Sequence, residues 1–221
     1  MNPSPRSRPL DARLATAFAE VPVVASIVGA QPLRQFLTAP AKVCILASFS
    51  VGQLPQVVPA LRKAGKTVFV NVDSSPGLAQ DRGALDFIKE MGASGVVSTR
   101  LALIEKGRPL GLLTAQKVFV TDRSNLRRSM DAISRGMPDL VEVMPAPIVA
   151  RMTPQARRAM SPTVAAGFVE TPADVAAALA LGSVAVATSD HRLWRVSREE
   201  LPRATADRPL EQADRPLGQQ E

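Results

Sequence analysis

Eight short runs rich in β-branched residues, each followed by a stretch with helical spacing or turn residues, constrain this chain more than any other feature. They fall at residues 21–27, 42–47, 67–72, 95–98, 113–119, 140–144, 163–166 and 183–188. Runs this apolar read as strands buried on both faces, which places them in a parallel sheet whose neighbours are joined by helical crossovers. Repeated eight times, the unit predicts an α/β chain folded as a compact (β/α)8 barrel of the TIM type, although residues 21–196 are few for that fold. An open doubly wound sheet is the competing architecture. The strand-helix rhythm continues past Leu113 to the end of the core, and no Gly-x-Gly-x-x-Gly follows any strand, so the barrel is preferred.

The clearest helix carries Ala84, Phe87, Ile88 and Met91 on one stripe, with Asp81 as N-cap and Gly92 beyond its end. Thr171-Pro172-Ala173-Asp174 reads as a cap, a proline in the first turn and an acidic residue at the positive end of a helix that Gly182 closes. Pro59 would break an interior turn of the second helix, so that helix is expected to begin near Pro59 rather than at Leu54.

The two ends differ from the middle. Residues 1–20 carry Pro3, Pro5 and Pro9 and read as a flexible segment; residues 197–221 read as a flexible tail, because Ala206 to Gln212 is nearly repeated by Ala213 to Gln219. Charge follows the same division. The whole chain is +7, whereas residues 21–196 hold 20 basic and 12 acidic side chains, making the expected barrel domain alone +8. That balance favours an anionic partner without identifying one.

Inventory excludes several chemistries. With one histidine, His191, one cysteine, Cys44, and no tyrosine, the chain cannot assemble a thiolate or histidine-rich metal site, or an internal disulfide. Only His191 could serve a Ser-His-Asp arrangement. No apolar stretch resembling a secretory signal opens the chain, and the apolar run at 175–187 is too short to span a membrane, so a cytoplasmic protein without a membrane partner is expected.

In a barrel, chemistry gathers where strands run into the loops that follow them. Those positions hold Asn71 and Asp73 with Gly77 beyond, then Thr99 and Arg100, Gln116 and Lys117, Glu142 with Pro145, Gly167, and Thr188 with Ser189. Gly167, Thr188 and Ser189 lie on the seventh and eighth loops, where barrels often hold phosphate; a tight turn and a helix cap account for them equally well. Asn71 and Asp73 suit polyol hydroxyls, while the segment from Ser74 to Gly77 is also an ordinary turn. Glu142 sits among apolar neighbours and needs a positive or donor partner, for which Lys117 and Arg100 are candidates; a purely structural ion pair explains it as well.

Between Arg100 and Arg158, 11 Lys and Arg face 5 Asp and Glu. Arg123, Arg127 and Arg128 on one expected helix, and Arg157 and Arg158 on the next, are candidates for neutralising nucleic-acid phosphates, although a solvated arginine face is the commoner arrangement. Aromatic residues are few and mostly lie in apolar runs, so stacking of the RNA-recognition-sheet kind is not indicated.

The ordered strand ends resemble the glycerol-3-phosphate-responsive antiterminator proteins of bacteria. The resemblance runs from about Val23 to Trp194 through Asn71-Val72-Asp73 with Gly77-Leu78 and Asp81, Ser98-Thr99-Arg100, Gln116-Lys117, Pro138-Asp139, Glu142-Val143-Met144-Pro145, Ala165-Ala166-Gly167, and Thr188-Ser189 with Leu193-Trp194. It implies a barrel regulator without catalytic residues, metal or cofactor, which takes glycerol 3-phosphate as effector and binds leader mRNA to prevent premature termination of glycerol-utilisation transcripts. Asn71 stands where the family usually has His, Lys117 where it has Arg, and Ala146 and Ala166 where it tends to have Gly. Lysine supplies a point charge in place of a two-pronged fork. The alternative from another class is a barrel enzyme acting on a small phosphorylated polyol, with Glu142, Asp73 or Lys117 as its base. A homo-oligomer is left open by the sequence.

Overall fold

The computed structural model describes residues 9–202. Its strands are β1 (Val23–Val28), β2 (Val43–Ala47), β3 (Thr67–Asn71), β4 (Gly95–Ser98), β5 (Leu113–Phe119), β6 (Leu140–Met144), β7 (Thr163–Ala166) and β8 (Ala185–Thr188). All pair in parallel with their sequence neighbours, and β8 pairs with β1 from Val23 opposite Val186 to Ala25 opposite Thr188. That last pairing closes the barrel and rules out the open sheet.

The helices are α1 (Ala12–Glu20), α2 (Leu33–Thr38), α3 (Leu54–Lys63), α4 (Arg82–Glu90), α5 (Leu101–Gly107), α6 (Arg123–Gly136), α7 (Pro154–Ala159) and α8 (Pro172–Ala180). Asp81 accepts from the Ala84 N–H to cap α4, and Thr171 with Asp174 forms a reciprocal capping box on α8. The expected start of α3 near Pro59 is corrected: the helix runs from Leu54 through Pro59, anchored by buried Leu54, Val58 and Leu61. Their burial outweighs the backbone hydrogen bond that the proline forgoes.

Alternation along the strands divides the apolar residues into two layers. Ile27, Leu46, Val70, Val96, Val143 and Val186 belong to the layer that packs against the helices. Val24, Val43, Ile45, Phe69, Leu113, Leu140 and Val164 fill the barrel. The inward residues on β7 and β8 are small, with Ala166, Ala185 and Ala187 in the same cluster. These small side chains leave room in the interior for larger ones such as Ile45 and Phe69. Gly95 is needed for a related reason, since a Cβ there would lie 2.7 Å from the Phe69 ring and 2.4 Å from the Leu113 carbonyl oxygen.

The chain ends correct the expected domain boundaries. Within the segment read as flexible, residues 1–20, α1 buries Leu14, Ala17 and Phe18 in the barrel-interior cluster. Asp11 accepts from the Arg13 N–H to cap it. At the other end Leu201 packs on the outer core and Arg198 donates to the Phe18 carbonyl at 3.3 Å. Ordered structure therefore extends on both sides of 21–196. The repeat at 206–219 lies outside the described residues.

Candidate functional site at the barrel mouth

Lys117 and Glu142 are the charged residues at the centre of the site. They are registered partners on β5 and β6, two residues above the Ala115–Leu140 pair that lies in the barrel interior. Lys117 Nζ lies 3.4 Å from Glu142 Oε2, with side-chain exposures of 17% and 5%. The approach is within ion-pair range but off the direction of a good hydrogen bond, so the buried Oε2 keeps an unmatched acceptor position. Burial pushes the Glu142 carboxyl above the usual carboxylate range, and the Lys117 charge opposes that shift. Arg100, the other candidate partner, is exposed at the N-terminal boundary of α5.

Asp73 has a bracing role. Its Oδ1 accepts from Ser98 Oγ at 2.7 Å, and its Oδ2 accepts from the Thr99 N–H at 2.6 Å and Thr99 Oγ1 at 2.8 Å. The loop after β3 is thereby tied to the end of β4, and Ser98 Oγ also accepts from the Arg100 N–H. Asn71 uses its amide oxygen to accept from the Asp73 N–H, while Ser75 donates to its carbonyl. Gly77, at φ +78, packs against Val51 in the loop after β2. Asn71 and Asp73 are joined through the Asp73 backbone N–H, and these hydrogen bonds occupy much of their capacity. The sequence marks Thr99 as a strand-end position but does not show it, or Ser98, as a partner of Asp73; two hydroxyls at a strand end beside a carboxylate-bearing loop were the available signal.

The seventh and eighth loops supply donors. Gly167 adopts φ +78 and Phe168 φ +56, and the backbone N–H groups of Gly167, Phe168 and Ser189 have no hydrogen-bond acceptor among the described residues. Successive unpaired N–H groups in such turns suit an anion. Thr188 is engaged within the loops: its hydroxyl donates to the Val169 carbonyl and accepts from the Asp190 N–H. Its own carbonyl accepts from the Trp194 indole. Asp174 accepts from the N–H groups of Glu170 and Thr171, which puts a carboxylate at the N-terminus of α8 and disfavours an anion at that helix end. The Gly167 carbonyl accepts from the Ala146 N–H, joining the loops after β6 and β7 just beyond Pro145.

Of the basic residues, Arg123, Arg127, Arg128 and Arg158 are exposed. Arg157 is half-buried and donates to the Met152 carbonyl at 2.8 Å, which holds the turn preceding α7. His191 is exposed and stands edge-on to Trp194, its ring centroid 6.4 Å away. Among the described residues no three His, Cys, Asp or Glu side chains group as metal ligands, and no helix is long and apolar enough to cross a membrane.

A solved glycerol uptake operon antiterminator regulatory protein from Listeria monocytogenes str. 4b F2365 superposes with a TM-score of 0.73 at 27% identity, covering 78% of this chain and 94% of its own. A glycerol uptake operon antiterminator-related protein from Thermotoga maritima MSB8 gives 0.70 at 25% identity, covering 79% and 98%. The Escherichia coli (strain K12) protein YgcP, described as uncharacterized, is 21% identical over 181 residues, which are 81% of this chain and 95% of that one. The family model of the glycerol-3-phosphate responsive antiterminators matches residues 23–194, a span that runs from the first residue of β1 to Trp194 and contains every strand of the barrel. With the family model matched over that span, the chain belongs to the glycerol-3-phosphate responsive antiterminator family.

Proposed function

We propose that this chain takes glycerol 3-phosphate at the barrel mouth and, when loaded, acts in the cytoplasm on leader RNA to prevent premature transcription termination. The observation that carries the ligand half is the buried, unmatched Glu142 Oε2 beside Lys117, inside the barrel below the loops after β7 and β8 that carry the unpaired N–H groups of Gly167, Phe168 and Ser189. A phosphate takes the N–H groups and adds negative charge near Lys117. A glycerol hydroxyl donates to Glu142. Asp73, already bonded by Ser98 and Thr99, shapes the wall beside it.

The RNA half draws on family membership and on the exposed Arg123, Arg127, Arg128 and Arg158 of α6 and α7. Arginines displace counterions from phosphates, so RNA affinity falls as salt rises, by about 0.7 log units per contact per tenfold salt on single strands. The test is paired. Thermal unfolding is followed with glycerol 3-phosphate, glycerol and inorganic phosphate, and RNA titrations are run at two salt concentrations with and without glycerol 3-phosphate. Ligand at 100 times its dissociation constant stabilises the fold by about 2.7 kcal/mol. Absence of any shift with glycerol 3-phosphate removes the ligand assignment. The enzyme alternative would use the same Lys117–Glu142 pair, and turnover of the phosphate ester without RNA binding is the result that would favour it.

A further inference from the structure

The mouth carries two exposed phenylalanines whose rings the effector site does not use, the backbone N–H of Phe168 being their only share in that site. Phe119, the last residue of β5, is 51% exposed, and Phe168, just beyond β7, is 70% exposed. Single exposed apolar side chains are ordinary on protein surfaces. These two are connected and are held in place. Phe168 adopts φ +56 directly after Gly167 at φ +78, a region that bulky L-residues rarely enter, so the turn carries strain while its ring faces solvent. Phe119 lies two residues beyond Lys117 on the same face of β5, and Lys117 Nζ lies 6.0 Å from its ring centroid. Met144 links them: it is the registered partner of Phe119, and a Cβ on Gly167 would lie 3.1 Å from its Cε. The two residues thus stand at the ends of β5 and β7, strands set two inter-strand spacings, roughly 10 Å, apart.

Charge selects the occupant. The loop leaving Phe119 leads into α6, whose first turns expose Arg123, Arg127 and Arg128. Cations beside flat apolar faces match single-stranded nucleic acid, which offers phosphates to one and unstacked bases to the other. We propose that Phe119 and Phe168 are stacking positions for unpaired RNA bases, with the adjoining phosphates carried by the arginines at the start of α6. This rests on the RNA-binding reading above and deepens it. Because Phe119 also reaches Lys117, the base and the effector share a wall, and RNA senses the loaded site at the mouth itself.

The experiment measures fluorescence anisotropy of a random-sequence single-stranded RNA pool, and of the same pool annealed to its complement, with and without glycerol 3-phosphate. Native protein is compared with Phe119→Leu, Phe168→Leu and Phe168→Trp. Leucine keeps apolar bulk but removes the aromatic face. Each leucine variant is expected to weaken single-strand binding about 10-fold, with Phe168→Trp retaining it and duplex binding unchanged. Because Phe168 is largely exposed, Phe168→Leu is expected to keep the native unfolding temperature, which separates lost stacking from lost folding. Leucine variants that bind single strands as tightly as the native protein overturn the stacking proposal and leave the RNA reading standing. If the native protein binds neither pool, with or without glycerol 3-phosphate, both fall. If Phe168→Leu dissociates a dimer in sedimentation without changing RNA affinity, the rings are an interface between copies and the proposal is overturned.

Discussion

Lys117 and Glu142 face each other across β5 and β6, with Nζ 3.4 Å from an Oε2 that has no well-directed hydrogen bond. Each therefore depends on the other more than on its surroundings, and the pair has room to accept a third polar group. Truncating one partner of a buried ion pair costs more than removing both, since the survivor is left charged and unsolvated. Lys117→Ala is expected to destabilise the fold by about 3 kcal/mol in urea unfolding, with part of that loss recovered in the Lys117→Ala, Glu142→Gln double variant. Lys117→Arg keeps the charge and is expected to retain effector binding. Equal losses in the single and double variants would show that the two side chains are not coupled.

The pH dependence of stability follows from the same carboxyl. Burial raises the Glu142 pKa in the folded state, so the fold binds its proton more tightly than the unfolded chain does. The stability associated with that proton is fully present below the ordinary Glu pKa and is lost as pH rises through the folded value. Glu142→Gln has no such proton to lose. In urea series from acid to neutral pH, the stability of the native protein relative to Glu142→Gln is expected to fall across that window and then level off. A difference that stays flat, or rises with pH, would contradict the direction assigned to this group.

All eight strands are legible in the sequence because their signal is local: Val, Ile, Thr and Ala runs such as 95–98 and 163–166 become strands over the same residues. Helix caps such as Asp81 and Thr171 are legible for the same reason. What the sequence hides is how distant parts dock. Leu14, Ala17 and Phe18 follow helical spacing, yet the prolines before them read as a loose end, and only the barrel interior shows what they cover. Pro59 reads as a break because propensity is local, while the burial of Leu54, Val58 and Leu61 that overrides it is tertiary. In the site, the pairing of Lys117 with Glu142 was within reach of strand counting. The saturation of Asp73 by Ser98 and Thr99, and the exposure of Phe168, depend on how loops fold over the mouth, which residue order does not encode in any short pattern.

Asp73 offers a direct test of its bracing role. Its carboxylate takes one backbone N–H and two hydroxyls from Ser98 and Thr99. Asparagine presents one oxygen and turns an NH2 toward donors. Asp73→Asn is expected to cost about 1.5 to 3 kcal/mol, in line with hydrogen bonds to charged groups, and to speed hydrogen exchange at the Thr99 amide. Unchanged protection at Thr99 would mean that another group holds this loop.

Phe18 tests whether α1 belongs to the folded barrel. It is 3% exposed within the interior cluster, and its carbonyl accepts from Arg198, so two chain ends meet there. Phe18→Ala is expected to lower stability by about 3 to 5 kcal/mol, the range for a buried phenylalanine that leaves a cavity. A loss below about 1 kcal/mol, the scale of a surface substitution, would show that the barrel closes without this helix.

Gly167 separates backbone strain from ligand binding, because Gly182 provides a matched control. Both have positive φ, +78 and +95, but a Cβ on Gly182 meets nothing within 4 Å, whereas one on Gly167 lies 3.1 Å from Met144 Cε. A side chain in this region costs about 1 to 2 kcal/mol, so Gly182→Ala and Gly167→Ala are both expected to unfold a few degrees below the native protein. Their effects on ligand should diverge. Gly182 follows the end of α8, away from the strand C-termini, while Gly167 supplies one of the unpaired N–H groups at the mouth. Relaxation around the new methyl group turns that N–H and disturbs the loop after β6, whose Ala146 N–H is bonded to the Gly167 carbonyl. Gly167→Ala is therefore expected to weaken glycerol 3-phosphate about 10-fold, the loss of roughly one hydrogen bond to a charged group, while Gly182→Ala leaves affinity unchanged. Isothermal titration of the three proteins measures this, and equal affinities across them would remove the β7 loop from the phosphate site.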